Sequence, residues 1–258
     1  MEEATGLGAP HMRPVEMSML REALRRGWAD MKRAPGFGVL FSSAYVIIGL
    51  LLAFVTWRTG QTYWLIFAAV GFPLVGPFAA VGLYEVSRRL DRGQALEADR
   101  ILGVVVRQSS RQLPSICVII IMMFLFWFFL AHMIFALFLG LSTMTNVSTS
   151  FEVYLTPNGL MMLGVGTLVG AIFALLLYMI TVISMPLLLD REVDFVTAMI
   201  TSFQTVTANP FPMLIWAAFI AAITFLAMIP AFLGLFLTLP LLGHASWHLY
   251  DQIAIREA

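Results

Sequence analysis

Residues 114–140 read PSICVIIIMMFLFWFFLAHMIFALFLG, without one Asp, Glu, Lys or Arg. Roughly 20 apolar residues in a helix cross the ~30 Å hydrocarbon layer of a bilayer, so this stretch alone predicts a transmembrane helix. Five others qualify or nearly qualify: Pro35–Trp57, Tyr63–Val86, Gly159–Leu189, Phe211–Ile229 and Ala231–Leu249. Six spans are therefore expected. The last two are the shortest and are split only by Met228-Ile229-Pro230. One continuous helix would put Pro230 in its interior, where proline loses a hydrogen bond and clashes with the preceding turn. A tight hairpin is the better reading, with a re-entrant pair as the alternative.

Composition points the same way. The chain has 258 residues, 60% hydrophobic and 12% charged, with a mean hydropathy of +0.89; soluble domains average roughly 45–50% apolar and about 25% charged residues. This excludes an ordinary soluble enzyme, a disordered tail and a disulfide scaffold. Fifteen basic and fifteen acidic residues cancel, which leaves no electrostatic case for nucleic acid. The single cysteine, Cys117, lies in an apolar run and is expected to pack as a small hydrophobe. Met1 to Val15 is polar, without an apolar h-region, so no cleavable signal peptide is expected and the first span serves as insertion signal.

Basic residues orient the chain, because cytoplasmic loops carry the excess of Lys and Arg. Arg13, Arg21, Arg25, Arg26, Lys32 and Arg33 precede the first span. Arg88, Arg89, Arg92, Arg100, Arg107 and Arg111 lie between the second and third, Arg191 follows the fourth and Arg256 the sixth. Only Arg58 falls on the opposite side. Both termini are thus expected in the cytoplasm. The loop Leu141–Asn158 has no basic residue and suits the outer side, with room for a short helix; its Asn146-Val-Ser148 matches a glycosylation sequon.

One unit recurs three times: a segment of helical period, a proline, then two spans. The first stripe is Met17, Leu20, Leu24, Trp28 and Met31, with Asp30 and the basic residues on other faces. The second is Ala98, Ile101, Leu102 and Val105, and the third Phe195, Ala198, Met199, Phe203 and Val206. Such stripes mark amphipathic helices, here expected in the headgroup layer; mutual packing in a small cytosolic layer is the alternative. Pro35, Pro114 and Pro210 start the following spans, as suits a first helical position. The domain reading is a polar tail 1–16, one membrane domain 17–250 with units 17–92, 95–190 and 194–250, and a tail 251–258.

Candidate chemistry is sparse. Ionisable groups inside a bilayer are costly and thereby presumptively functional, and only His132 lies well inside a span. A neutral histidine bonded to a neighbouring helix is favoured there over a proton relay. His244 and His248 share a helix face at i, i+4, a spacing that can ligate zinc or haem iron. Glu85, Asp194 and His248 each stand eight residues after a proline (Pro77, Pro186, Pro240). Around a pseudo-threefold axis they would meet at the cytoplasmic rim as a metal or headgroup site; otherwise Glu85 pairs with Arg88 or Arg89. Gly71-Phe-Pro-Leu-Val-Gly-Pro77 is expected to break or kink its span. Gly166-Thr-Leu-Val-Gly170 offers a small-residue packing face, and the Phe-rich third span is expected to face lipid or partner helices.

Four pieces carry a family resemblance: Leu24-Arg-Arg-Gly-Trp-Ala-Asp-Met-Lys-Arg-Ala-Pro35; Gly82-Leu-Tyr-Glu-Val-Ser-Arg-Arg-Leu90; Ser184-Met-Pro-Leu-Leu-Leu-Asp190 with Ala198 to Pro210; and Pro240-Leu-Leu-Gly-His-Ala-Ser-Trp-His-Leu-Tyr250. Together they resemble the bacterial integral-membrane family called domain of unknown function 2189, some of whose members are labelled cytochrome c oxidase subunits. The resemblance implies an inner-membrane protein and transfers no catalytic residue. A haem–copper catalytic subunit needs more buried histidine ligands than the three histidines in or beside these spans, whereas an accessory role beside a respiratory complex is compatible.

The expectation is an all-α polytopic protein of the bacterial inner membrane: six transmembrane helices as three hairpins, each preceded by an amphipathic interfacial helix. Its expected role is non-enzymatic, without a cofactor, as an accessory, scaffold or assembly component whose partners are the lipid bilayer and another membrane protein. A small-molecule or lipid permease is the alternative, and would show a polar cavity reaching the midplane. Oligomeric state is left open.

Overall fold

The computed structural model describes residues 6–60, 65–140 and 152–255, and the side chains of all of these except 6–7 and 65–75. The sequon Asn146-Val-Ser148, most of the outer loop, and Tyr63 at the start of the second expected span lie outside the described residues. The helices are α1 (Met17–Arg33), α2 (Pro35–Thr59), α3 (Leu65–Asp91), α4 (Ala98–Ser109), α5 (Leu113–Leu139), α6 (Glu152–Leu155), α7 (Pro157–Thr181), α8 (Ser184–Asp190), α9 (Phe195–Ala208), α10 (Pro210–Met228) and α11 (Leu235–Ile253). A two-residue parallel pairing joins β1 (Gly6–Leu7) to β2 (Arg191–Glu192).

Pro35–Thr59, Leu113–Leu139, Pro157–Asp190 and Pro210–Met228 are long and apolar enough to cross a membrane. At ~1.5 Å per residue, even the 19-residue α10 approaches the hydrocarbon thickness. The chain is an all-helical, multi-pass integral membrane protein. Each of these helices has a proline at its first or second position, where the missing N–H costs nothing. Gly60, in the left-handed conformation at φ 65°, closes α2, as a glycine after a helix commonly does.

Three boundaries differ from the expectation. α3 runs unbroken through Gly71–Pro77 and on to Asp91; its prolines do not end it. The fourth span is interrupted at Val182–Ile183, between α7 and α8. Pro186 has no amide for the Val182 carbonyl, and the Ser184 hydroxyl turns back to the carbonyl of Ile180 at 2.7 Å. The Ile183 amide is instead satisfied by the Ser202 hydroxyl at 3.1 Å. The sixth helix starts at Leu235 and not Ala231, because residues 229–234 form a turn with Ala231 and Phe232 at positive φ, 50° and 65°.

The short amphipathic helices bury a different face from the one their bulk suggests. α1 buries Leu20, Ala23, Gly27 and Asp30, leaving Trp28 exposed. α4 buries Ile101, Val104 and Gln108, with Leu102 and Val106 outside. α9 buries Ala198, Ser202, Thr205 and Val206, with Val196, Ile200 and Phe203 outside. Small and polar residues allow a close approach to the bundle, while the large apolar ones face away from it, where an interfacial position would accommodate them. The Lys32 ammonium lies 5.6 Å from the Trp28 ring, a cation–π distance.

Packing follows a cyclic order. α4 packs on α3, α9 on α7 and α8, and α1 on α11. α3, α8 and α11 also pack on one another, so the second helix of each pair comes to the centre. The principal core lies there, with Ile183, Leu187, Trp216, Trp247, Leu249, Tyr250 and Ile253 all buried. The corners from α1 into α2 and from α9 into α10 have almost the same backbone: Ala34 at φ −129°, ψ 52° and Asn209 at φ −130°, ψ 56°. The N-terminal strand of chain ties the ring. Arg13 N donates to Ile253 O at 2.9 Å, Ile255 N to His11 O at 2.9 Å, and Val15 N to Asn209 Oδ1 at 2.9 Å.

Candidate functional site

Where α1, α3 and α11 meet, two helical i, i+4 pairs face one another: Ser87 and Asp91 on α3, His244 and His248 on α11. Asp30 enters from α1. His248 Nε2 lies 2.6 Å from Asp30 Oδ2, and its Nδ1 is 3.4 Å from Asp91 Oδ2. Ser87 Oγ is 2.8 Å from His244 Nδ1, and the same hydroxyl helps to stabilise the Asp30 carboxylate. Arg26 donates to Asp91 at 2.7 Å and stands 3.8 Å from Asp251. Asp30, Ser87, His244 and His248 are buried, whereas Asp91, Arg26 and Asp251 form a half-exposed rim.

The electrostatics are local. Burial alone would push the Asp30 carboxyl up, but the hydrogen bond with His248, that residue's charge and the Ser87 hydroxyl together hold it below its ordinary range. A buried carboxylate survives when its lone pairs are filled in this way. The Ser87 hydroxyl is hydrogen-bonded to His244 Nδ1; His244 Nε2 has no partner among the described residues. The cluster therefore joins three helices, through Ser87–His244 between α3 and α11 and through Asp30–His248–Asp91–Arg26 across all three.

Asp30 was misplaced by the sequence reading, which put it off the packed face of α1. Its spacing of three from Gly27 and seven from Ala23 puts all three on one face, and that phase is the signal that could have found it. Ser87 and Asp91 had no such signal, since their histidine partners lie more than 150 residues away in the chain.

The other candidates go to separate places. Glu85, 1% exposed, is held by Arg88 Nε at 2.8 Å and Arg89 Nε at 2.7 Å. Asp194 caps α9, accepting from Thr197 N at 2.9 Å; that bond holds its carboxyl below the usual range. Glu85, Asp194 and His248 thus each have their own partners. Among the described residues no group of three or more His, Cys, Asp or Glu is disposed to hold a metal ion. His132 is bonded within its own helix, Nδ1 to Phe128 O at 2.9 Å, and not to a neighbouring helix. Gly170 packs under Trp127 Nε1, while a Cβ on Gly166 would meet nothing. Cys117 is buried in the principal core.

A second buried contact links α11 to α8, Tyr250 OH donating to Asp190 Oδ2 at 3.0 Å. Arg111 pairs with Glu192. Segments that precede or follow different membrane helices therefore meet at one end of the bundle, the end rich in basic residues. Arg58, in the last turn of α2, stands at the other.

No curated protein and no solved structure matches the chain. Residues 65–190, the stretch from α3 through α8, match the family model described as "Predicted integral membrane protein (DUF2189)".

Proposed function

We propose that the chain is a non-enzymatic accessory or scaffold protein of a bacterial inner membrane, crossing it six times as three repeated units with both termini in the cytoplasm. The observation that carries this reading is the division between a closed interior and an apolar flank. The interior is filled by large side chains such as Trp216, Trp247, Tyr250 and Met213, all at 0–1% exposure. Val39, Ile47, Leu51 and Phe54 of α2, and Val118, Met122, Phe126 and Phe129 of α5, face outward. One cavity, about 440 Å³, lies where α5 ends and α7 begins, and another, about 340 Å³, lies between the α4–α5 turn and the α8–α9 turn, away from the midplane that a permease pathway would have to reach. A protein built this way acts through what it holds at its flank and its basic end. A respiratory complex is one such partner in this reading.

The cyclic packing supports three units. In each, the short helix docks on the second membrane helix of the preceding unit, and α1 closes the ring on α11. α3 and α11 cross the membrane in this reading although their cytoplasmic halves are polar, because those halves lie inside a ring of other helices.

Single cysteines at Thr59 and Gly93, in a Cys117→Ala background, test the topology. Labelling of intact cells with an impermeant maleimide is expected at position 59 and only after permeabilisation at position 93. Labelling of both from the same side removes the six-span reading. For the role, the protein tagged at native level and extracted in a mild detergent is expected to bring down a defined membrane complex. Purification alone, with ligand-dependent thermal stabilisation, favours the permease instead.

A further inference from the structure

Every strong hydrogen-bonding group that a membrane helix presents to hydrocarbon needs a partner, and α5 presents one without it. His132 lies on the exposed side of α5, amid exposed Phe129, Met133 and Leu137. Seven residues separate it from the helix end at Leu139, about 10 Å at the helical rise, so its ring is inside the apolar run and not at the headgroups. Nδ1 meets the Phe128 carbonyl at 2.9 Å. A carbonyl only accepts, which fixes the proton on Nδ1 and leaves Nε2 of the neutral ring as an acceptor facing outward.

A matching donor lies on the same surface. α5 and α7 are antiparallel neighbours, with the Phe126 and Phe173 rings 6.0 Å apart and Trp127 over Gly170. That register puts His132 level with Gly166 and Thr167. Thr167 is exposed, and its hydroxyl makes no hydrogen bond among the described residues. Beside it, Gly164 and Gly166 leave open space where side chains would stand, so another backbone can approach closely. Small residues and interhelical hydrogen bonds are what drive helix association in lipid.

We propose that the outer face of α5 and α7 is a self-association surface, on which His132 Nε2 of one copy accepts from the Thr167 hydroxyl of a second copy of this chain. Two copies inserted in the same orientation and related by a twofold axis along the membrane normal keep equal depths. Each contact is then made twice, as an isologous interface requires. The acceptor and the donor are both supplied by this chain, at one depth, which favours a second copy over an unrelated helix. The inference rests on α5 and α7 crossing the bilayer, and goes beyond the proposed role.

The test uses the full-length protein in native membranes, in a Cys117→Ala background. Met133→Cys and Leu168→Cys variants with different tags are co-expressed and mildly oxidised. A disulfide-linked pair carrying both tags is expected. His132→Phe or Thr167→Val should lower its yield roughly threefold or more, and His132→Gln, which keeps an acceptor, should largely restore it. Failure of the two tags to link, linkage only to a different membrane protein, or a yield indifferent to His132→Phe and Thr167→Val would each overturn the proposal. These outcomes are separate from the topology test, which reads sidedness at positions 59 and 93 whatever the oligomeric state.

Discussion

Replacing Asp30 by alanine is expected to destabilise the protein by about 1.5–3 kcal/mol, the usual contribution of a buried hydrogen bond to a charged group. The pair in question is Asp30 with His248, at 2.6 Å, and it is the main polar tie between α1 and the last helix. Removing the carboxylate leaves His248 Nε2, buried at 1% exposure, without its partner. The rim contacts behave differently. Asp251→Asn removes a half-exposed group 3.8 Å from Arg26, and contacts of that kind contribute about 0–1 kcal/mol. Thermal unfolding in detergent measures both, and limited proteolysis around Arg33 and Ala34 should show α1 released in Asp30→Ala but not in Asp251→Asn. Equal midpoints for the two variants would mean that the buried pair holds nothing.

The sign of the pH dependence follows from the same carboxyl. Its value in the folded protein is below the ordinary 3.8, so the unfolded chain binds the proton more readily. The stability it contributes is complete above the ordinary value and is lost as pH falls through the depressed one. Wild type should therefore lose more stability than Asp30→Asn on acidification from pH 6 to the lowest pH at which unfolding is reversible. Parallel curves for the two proteins would remove Asp30 as the titrating group.

The four long apolar helices were legible in the sequence because burial in lipid requires only apolarity and length, both of which are local. The corners were legible for the same reason: Pro35, Pro114 and Pro210 act on their own turn. What escaped was set by distant contacts. The phase of α1 was read from Trp28 and Leu24, the bulkiest residues, yet the bundle selects Ala23, Gly27 and Asp30 because α11 comes too close for anything larger. α11 itself reads as an ordinary span with a polar end, but it is surrounded by α1, α2, α3, α8 and α10, which makes His244 and His248 interior residues. The turn at 229–234 was foreseen at Pro230 and its length was not, since two residues at positive φ are not encoded by glycine. Of the candidate site, the histidine pair was visible from its spacing; Asp30, Ser87 and Asp91 depended on a tertiary arrangement that no local pattern specifies.

The same close approach makes opposite predictions for two glycines on the amphipathic helices. A Cβ at Gly27 would stand 2.7 Å from the Ala245 amide nitrogen and 3.0 Å from its Cα. Those are backbone atoms of α11 and cannot turn aside. At Gly103 a Cβ would meet only the Arg107 guanidinium, at 3.6 Å, which can move. Alanine is a better helix former than glycine by up to ~1 kcal/mol, so Gly103→Ala should be neutral or stabilising by that amount. Gly27→Ala draws on the same gain but must also push α1 off α11. Overpacking costs roughly 1–3 kcal/mol and occasionally more, so it should be net destabilising, and Gly27→Val more so because branching at Cβ adds atoms toward the same backbone. The His248–Asp30 pair sits one helical turn along both chains from this contact, and displacing α1 there lengthens the 2.6 Å bond as well. Gly27→Val should thus also flatten the acid dependence assigned to Asp30, while Gly103→Ala leaves it intact. An unfolding midpoint for Gly27→Val equal to that of Gly103→Ala would mean that α1 does not lie against α11, and the proposed three-unit ring would lose its closure.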